Sequence, residues 1–142
     1  MKLAIAFSIL AITVLLHFFA NGAGWYDMQI EAGFVWIDNV LHVFVGIAVG
    51  FFWMWVCEKY KPSASRLFII FTSLVFVLIA AVVWELIEFA FLELFTTYAK
   101  SLQIYSPSIN EAASDILSNF AGVVILIVLN EVYCEFERFK TC

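Results

Sequence analysis

WIDNVLHVFVGIAVGFFWMWVC, residues 36–57, is nearly all apolar, yet it carries Asp38 and His42. Four residues is about one turn of α-helix, so both side chains project from one face. At about 20 apolar residues the stretch is long enough to cross a bilayer. A carboxylate and an imidazole then lie within the membrane or just beneath its surface, where an unpartnered charge is unfavourable. The stretch therefore predicts a membrane-spanning helix and, on one side of it, a reason for polar groups to meet.

The rest of the chain agrees. Of 142 residues, 65% are hydrophobic and 13% charged, with a mean hydropathy of +1.01. Soluble domains hold about 45–50% apolar and about 25% charged residues. The fold predicted is all-α: a single-domain integral membrane bundle of four transmembrane helices, at about 3–20, 34–57, 67–91 and 112–133. The first, LAIAFSILAITVLLHFFA, follows Lys2 and runs into FFANGA, as a signal peptide would. Its apolar core of about 18 residues exceeds the usual 7–15, and it is read as a span. The net charge of −5 and the lack of a basic patch exclude nucleic acid as a partner. Cys57, Cys134 and Cys142 form neither a CxxC pair nor a disulfide framework.

Basic residues orient the bundle. Lys2, Lys59, Lys61, Arg66, Arg138 and Lys140 fall on one side, and Lys100 alone on the other. The positive-inside rule places both termini in the cytoplasm, where thiols stay reduced. Trp25, Tyr26, Trp36, Tyr98 and Tyr105 are expected to form an outer aromatic belt, and Trp53, Trp55, Tyr60 and Tyr133 an inner one. Pro62 stops the second helix, and Ser63 or Ser65 caps the third. Ser108-Ile-Asn-Glu111 is a capping box that starts the fourth. Gly46 and Gly50 lie on the stripe of Asp38 and His42 and invite a helix-packing partner to approach closely.

Depth is the informative coordinate. His17 lies near the outer end of the first helix, and Asp38 and His42 in the outer part of the second. Glu85 and Glu88 fall in the outer half of the third, and Asp115 and Asn119 early in the fourth. The inner half offers Ser8, Thr13, Thr72, Ser73 and Asn130, none ionisable. Each residue has a bland reading. Asp38 and Asp115 suit the first turns of helices, Glu88 and Glu93 suit the interface, and His17 suits a helix end. Glu85 and His42 are the deepest. An intramembrane charge costs about 2.5–3.5 kcal/mol at the helix centre. That several such groups share one level predicts that they meet in an outward-opening pocket.

Asp38, His42, Glu85, Glu88 and Asp115 make an oxygen-rich set with one imidazole. Such a set suits a divalent metal: Zn, Mn or Fe with the imidazole, Mg with oxygens alone. Glu85 and Glu88 share a helix face and repel unless they share a proton or bind a cation. The spacing matches the Glu-x-x-His pattern of carboxylate bundles only loosely. Without metal, His42 with Glu85 or Asp38 can perform acid–base catalysis. Asn119 and His17 complete the polar pocket. No serine or cysteine nucleophile adjoins the histidines, although Ser114 and Ser118 flank Asp115.

DNVLHVFVG, WELIE and SDILSNFAGVV, in that order over about residues 36–125, resemble small VanZ-like membrane proteins. Asp38-x-x-x-His42-x-x-x-Gly46 is similar to the related YjdF-type proteins. The resemblance implies that His42, Glu85, Glu88, Asp115, Asn119 and Gly122 are site positions, and it implies the bacterial cytoplasmic membrane and cell envelope. The chain has Glu88 where glutamine is common, and YSPSINEAASD (105–115) lacks the arginine often found before the last helix. Three functions compete. One is a pocket acting on or binding a lipid-linked envelope molecule. Another is an accessory subunit in which the polar cluster is interhelical glue. The third is a proton- or ion-coupled carrier, against which the apolar inner half counts.

Overall fold

A computed structural model of the chain describes residues 2–26, 36–104 and 108–140. Its helices are α1 (Lys2–Gly22), α2 (Trp36–Tyr60), α3 (Arg66–Leu94), α4 (Thr96–Leu102) and α5 (Ile109–Lys140). α1, α2, α3 and α5 contain apolar stretches of 21, 24, 29 and 25 residues, each long enough to cross a membrane. There is no strand among the described residues. The protein is an all-helical, four-span membrane bundle.

The helix ends follow local chemistry. α2 stops at Tyr60, ahead of a turn containing Pro62. Of the two serines that precede α3, Ser65 is the cap: its Oγ accepts from the Phe68 N–H at 3.2 Å. Ser108 Oγ accepts from the Glu111 N–H at 3.2 Å and starts α5. α4 was not expected. It is seven residues long and ends at Gln103 in the left-handed conformation (φ 53°). So short a helix gives no periodic pattern to read.

Polarity is arranged for lipid. Phe7, Leu15, Leu67, Phe71, Leu86 and Leu117 are all exposed, while the interior holds small side chains such as Ala6, Ala48, Ala81 and Ser73. Thr13 and Ser73 donate their hydroxyls back to Ile9 and Ile69 carbonyls in their own helices, so neither leaves a polar group orphaned. Apolar surface does not drive helices together in hydrocarbon, where association relies on close packing and interhelical hydrogen bonds. Both are found along α2.

α2 packs against α1, α3 and α5, most extensively against α5. A Cβ built on Gly46 would collide with the Asn119 carbonyl, and one on Gly122 with the Val43 carbonyl. A Cβ on Gly50 would meet Leu126 and Val123 side chains at 2.8 and 3.1 Å. The contacts advance together along both chains, so α2 and α5 run parallel, backbone against backbone. α1 and α3 run the opposite way: Lys2 pairs with Glu58 of α2, and Arg66 with Glu131 of α5. The helix that approaches the Gly46/Gly50 face is thus α5 of the same chain.

The aromatic belts are only partly lipid-facing. Tyr60, Tyr98 and Tyr133 are exposed, but Tyr26 is buried. Trp53 donates to Thr72 Oγ1 at 3.0 Å and stacks on Phe76 with ring centres 4.2 Å apart. Tyr26 and Trp53 are inter-element contacts because their polar atoms find partners inside the protein. Tyr105 and the Trp36 side chain lie outside the described residues. Cys57 is a buried free thiol; the Cys134 side chain and Cys142 are likewise outside the described residues.

Overpacking a tight contact costs typically about 1–3 kcal/mol, and a clash with backbone falls at the upper end. Gly46→Ala and Gly122→Ala should each destabilise the bundle by about 3 kcal/mol. Gly22→Ala, which meets nothing within 4 Å, should change stability by less than about 0.5 kcal/mol. Thermal unfolding of the three variants in one detergent measures this; equal midpoints would rule out the backbone contact.

Candidate functional site

The parallel α2–α5 contact brings three sets of polar contacts together. In one, Asn39 Oδ1 accepts hydrogen bonds from Ser114 Oγ at 2.9 Å and Ser118 Oγ at 3.1 Å. At an overlapping depth, His42 Nε2 lies 3.9 Å from Asp38 Oδ1 and 4.0 Å from Asp115 Oδ1. Beneath them Asn119 Nδ2 lies 2.8 Å from His42 Nδ1 and 2.9 Å from the Asp115 backbone carbonyl. His42, Asp115 and Asn119 are buried, and the Asp38 side chain is 33% exposed. Asp38 is the member that opens to the surroundings.

Hydrogen-bond roles follow from what each atom can do. The Asp115 carbonyl can only accept, so the Asn119 atom facing it is the amide nitrogen. That nitrogen's second hydrogen meets His42 Nδ1, which therefore accepts. A neutral imidazole with Nδ1 accepting carries its hydrogen on Nε2. The Nε2–H thus sits on the ring nitrogen that has both carboxylates within 4.0 Å. Both separations exceed a direct hydrogen bond and match a single bridging oxygen.

α3 adds the remaining acids. Glu85 and Glu88 are buried. Glu85 is within electrostatic reach of His42, and both glutamates are within reach of Asp115. Glu88 Oε1 accepts from the Trp84 indole N–H at 2.6 Å. Glu111, one turn before Asp115, interacts electrostatically with Asp38 and Asp115, and its Oε2 is buried with no hydrogen-bond partner among the described residues. Among the described residues neither Asp38 nor Asp115 pairs with a lysine or arginine. A neutral His42 cannot offset their charge, so the cluster attracts protons, polarised O–H groups or a cation.

His17 lies within electrostatic reach of Asp38 and His42, and its ring nitrogens are bonded toward the end of the bundle. Its Nε2 is 2.9 Å from the Leu102 carbonyl, and its Nδ1 is 2.8 Å from the Tyr26 hydroxyl. Nε2–H must donate to the carbonyl, so Nδ1 accepts and Tyr26 donates. Burial, followed by the nearby Asp38, Glu88 and Asp115 carboxylates, pushes the Tyr26 hydroxyl well above its ordinary pKa and keeps it a donor. Asn21 Nδ2 donates to the Ser101 carbonyl at 3.1 Å. These contacts strap α1 and the segment after it to α4.

Of the residues singled out from sequence, the structure brings Asp38, His42, Asp115 and Asn119 into one cluster and sets Glu85 and Glu88 beside it. Asn39 carries no sequence signal of its own, Glu111 reads in sequence as a capping residue, and Tyr26 reads as part of the aromatic belt. Ser114 and Ser118, four apart on α5, were a sign that something opposite them accepts hydrogen bonds.

Tyr26→Phe should remove the donor to His17 and leave a part-buried ring nitrogen unsatisfied, at about 1–3 kcal/mol. Hydrogen exchange should then rise in α4 and at the end of α1. Unchanged protection there would show that the strap contributes nothing.

No curated protein and no solved structure matches the chain. Residues 3–135 match a family described as "Predicted membrane protein (DUF2238)". The match covers nearly all of the chain and agrees with the four-span bundle: the protein belongs to this family of membrane proteins.

Proposed function

We propose that the cluster at the Asp38 end of the bundle is an acid–base pocket that holds one oxygen of a polar molecule presented at the membrane surface. The observation that supports this reading is the position of His42 Nε2, at 3.9 and 4.0 Å from two carboxylates. An oxygen placed between them accepts from Nε2–H and donates its own hydrogen to Asp38 or Asp115. The carboxylate is then the base, and His42 stabilises the oxygen as charge develops. Glu85, near His42, is the further acid that accepts or returns a proton.

The molecule proposed is a lipid-linked component of the cell envelope. The lysine and arginine distribution argues for both termini in the cytoplasm, which opens the pocket to the outer leaflet. The resemblance to VanZ-like and YjdF-type proteins favours the bacterial cytoplasmic membrane. Apolar faces of α1 and α3 let a lipid-borne head group reach the pocket laterally without leaving the bilayer.

A divalent metal is the second reading, favoured by the grouping of one ligand atom each from Asp38, His42 and Asp115 within 4.8 Å. Zinc bonded at about 2.0–2.1 Å in a tetrahedron needs ligand atoms about 3.3–3.4 Å apart, so the two histidine–carboxylate separations of 3.9 and 4.0 Å would each have to contract by about 0.6 Å. Glu85 and Glu88 offer further oxygens for Mn, Fe or Mg. Interhelical glue makes a different prediction from either pocket, because loss of a glue residue lowers stability.

Native mass spectrometry and elemental analysis of protein released from its own membrane separate these readings. The wild type should retain a polar-headed lipid. Asp38→Asn and Asp115→Asn, which keep the side-chain volume, should lose it while keeping the thermal midpoint. Stoichiometric Zn, Mn or Fe in the wild type would replace the acid–base reading with the metal one. A fall in stability with no change in bound lipid would leave only the glue.

A further inference from the structure

Asn119 has no evident chemistry of its own, yet it spends both amide hydrogens inside the cluster, one on the Asp115 carbonyl and one on His42 Nδ1. We propose that Asn119 selects what the pocket accepts. By donating to Nδ1 it holds His42 as the Nε2–H tautomer, so the site presents a hydrogen between Asp38 and Asp115 and takes a water or hydroxyl oxygen in preference to a transition-metal ion. The inference rests on the acid–base reading and names the residue that sets its ligand class.

The reason is the inventory of lone pairs. A metal-bound imidazole needs a free lone pair on the coordinating nitrogen and donates its other N–H to a carboxylate or carbonyl. His42 has the reverse arrangement: the nitrogen toward the carboxylates carries the hydrogen, and the distal nitrogen accepts. Turning the amide over would set Asn119 Oδ1 against the Asp115 carbonyl, two acceptors at about hydrogen-bond distance. Nor is there space for a large rearrangement, because Gly46 lies against the Asn119 backbone. The buried amide and the glycine contact therefore hold the tautomer together.

Asn119→Asp tests this by reversing one polarity. A carboxylate at position 119 accepts from Nδ1–H, frees the Nε2 lone pair, and creates the carboxylate–histidine arrangement that supports metals. The full chain, 15N-labelled at histidine and placed in lipid nanodiscs, gives the tautomer directly from the ring nitrogen shifts. The chain has two histidines, so His17→Gln assigns the signals. Co2+ alone, titrated into the same samples, reads metal binding.

The wild type should show His42 as Nε2–H and bind Co2+ weakly. N119D should show Nδ1–H and bind Co2+ about 10–100-fold more tightly, the scale of a second ligand sphere. An Nδ1–H wild type, or equal Co2+ affinity in the two proteins, overturns the proposal. Should N119D fail to fold, Asn119→Leu keeps the volume and removes the donor. It should give a mixture of tautomers, and a pure Nε2–H signal would overturn the proposal. Lipid retention plays no part in these readouts, so the acid–base reading can fail while the tautomer result stands.

Discussion

Gly46 and Gly122 let the backbones of α2 and α5 touch, and the polar cluster exists only at that separation. With a side chain at either position the helices would stand apart by a methyl group or more. Asn119 would then lose His42 Nδ1, and Asn39 would lose the two serine hydroxyls. In hydrocarbon these losses matter because water is not available to replace the partners. The same short distance therefore packs the helices and satisfies their polar atoms.

That contact also explains how a greasy chain tolerates acids. Asp38, His42 and Asp115 lie on α2 and α5 close to the layer where the helices meet, and Glu85 and Glu88 reach it from α3. Shared hydrogen bonds and shared protons lower what each would cost separately. Neither Asp38 nor Asp115 meets a lysine or arginine among the described residues. The chain's interhelical cation–carboxylate pairs, Lys2–Glu58 and Arg66–Glu131, lie at the other end of the bundle. Two carboxylates beside one imidazole, with no lysine or arginine partner among the described residues, are the arrangement from which the acid–base proposal is argued.

The family adds a setting without adding a reaction. Membership among predicted membrane proteins agrees with the four apolar helices. Chemistry has to come from the geometry, and the geometry distinguishes the histidines. His17 ties α1 to α4 through a carbonyl and a tyrosine, whereas His42 turns its N–H to carboxylates. Two residues of one type, at one level of the bundle, serve different ends because their neighbours differ.

Much of this was legible in one dimension. Length and apolarity mark a span, serines and Pro62 mark helix ends, and counting residues from those ends gives depth. These are local properties, which is why the common level of Asp38, His42, Glu85, Asp115 and Asn119 could be read off the chain. Neighbours are another matter. Periodicity says which face of a helix is polar, but in lipid every helix is about equally apolar and none states its partner. Folding alone set α2 against α5, turned His17 and Tyr26 toward each other, and made the short α4 between the third and fourth spans. It also placed the amide of Asn119 on the imidazole of His42, because that contact depends on two backbones meeting where each has a glycine.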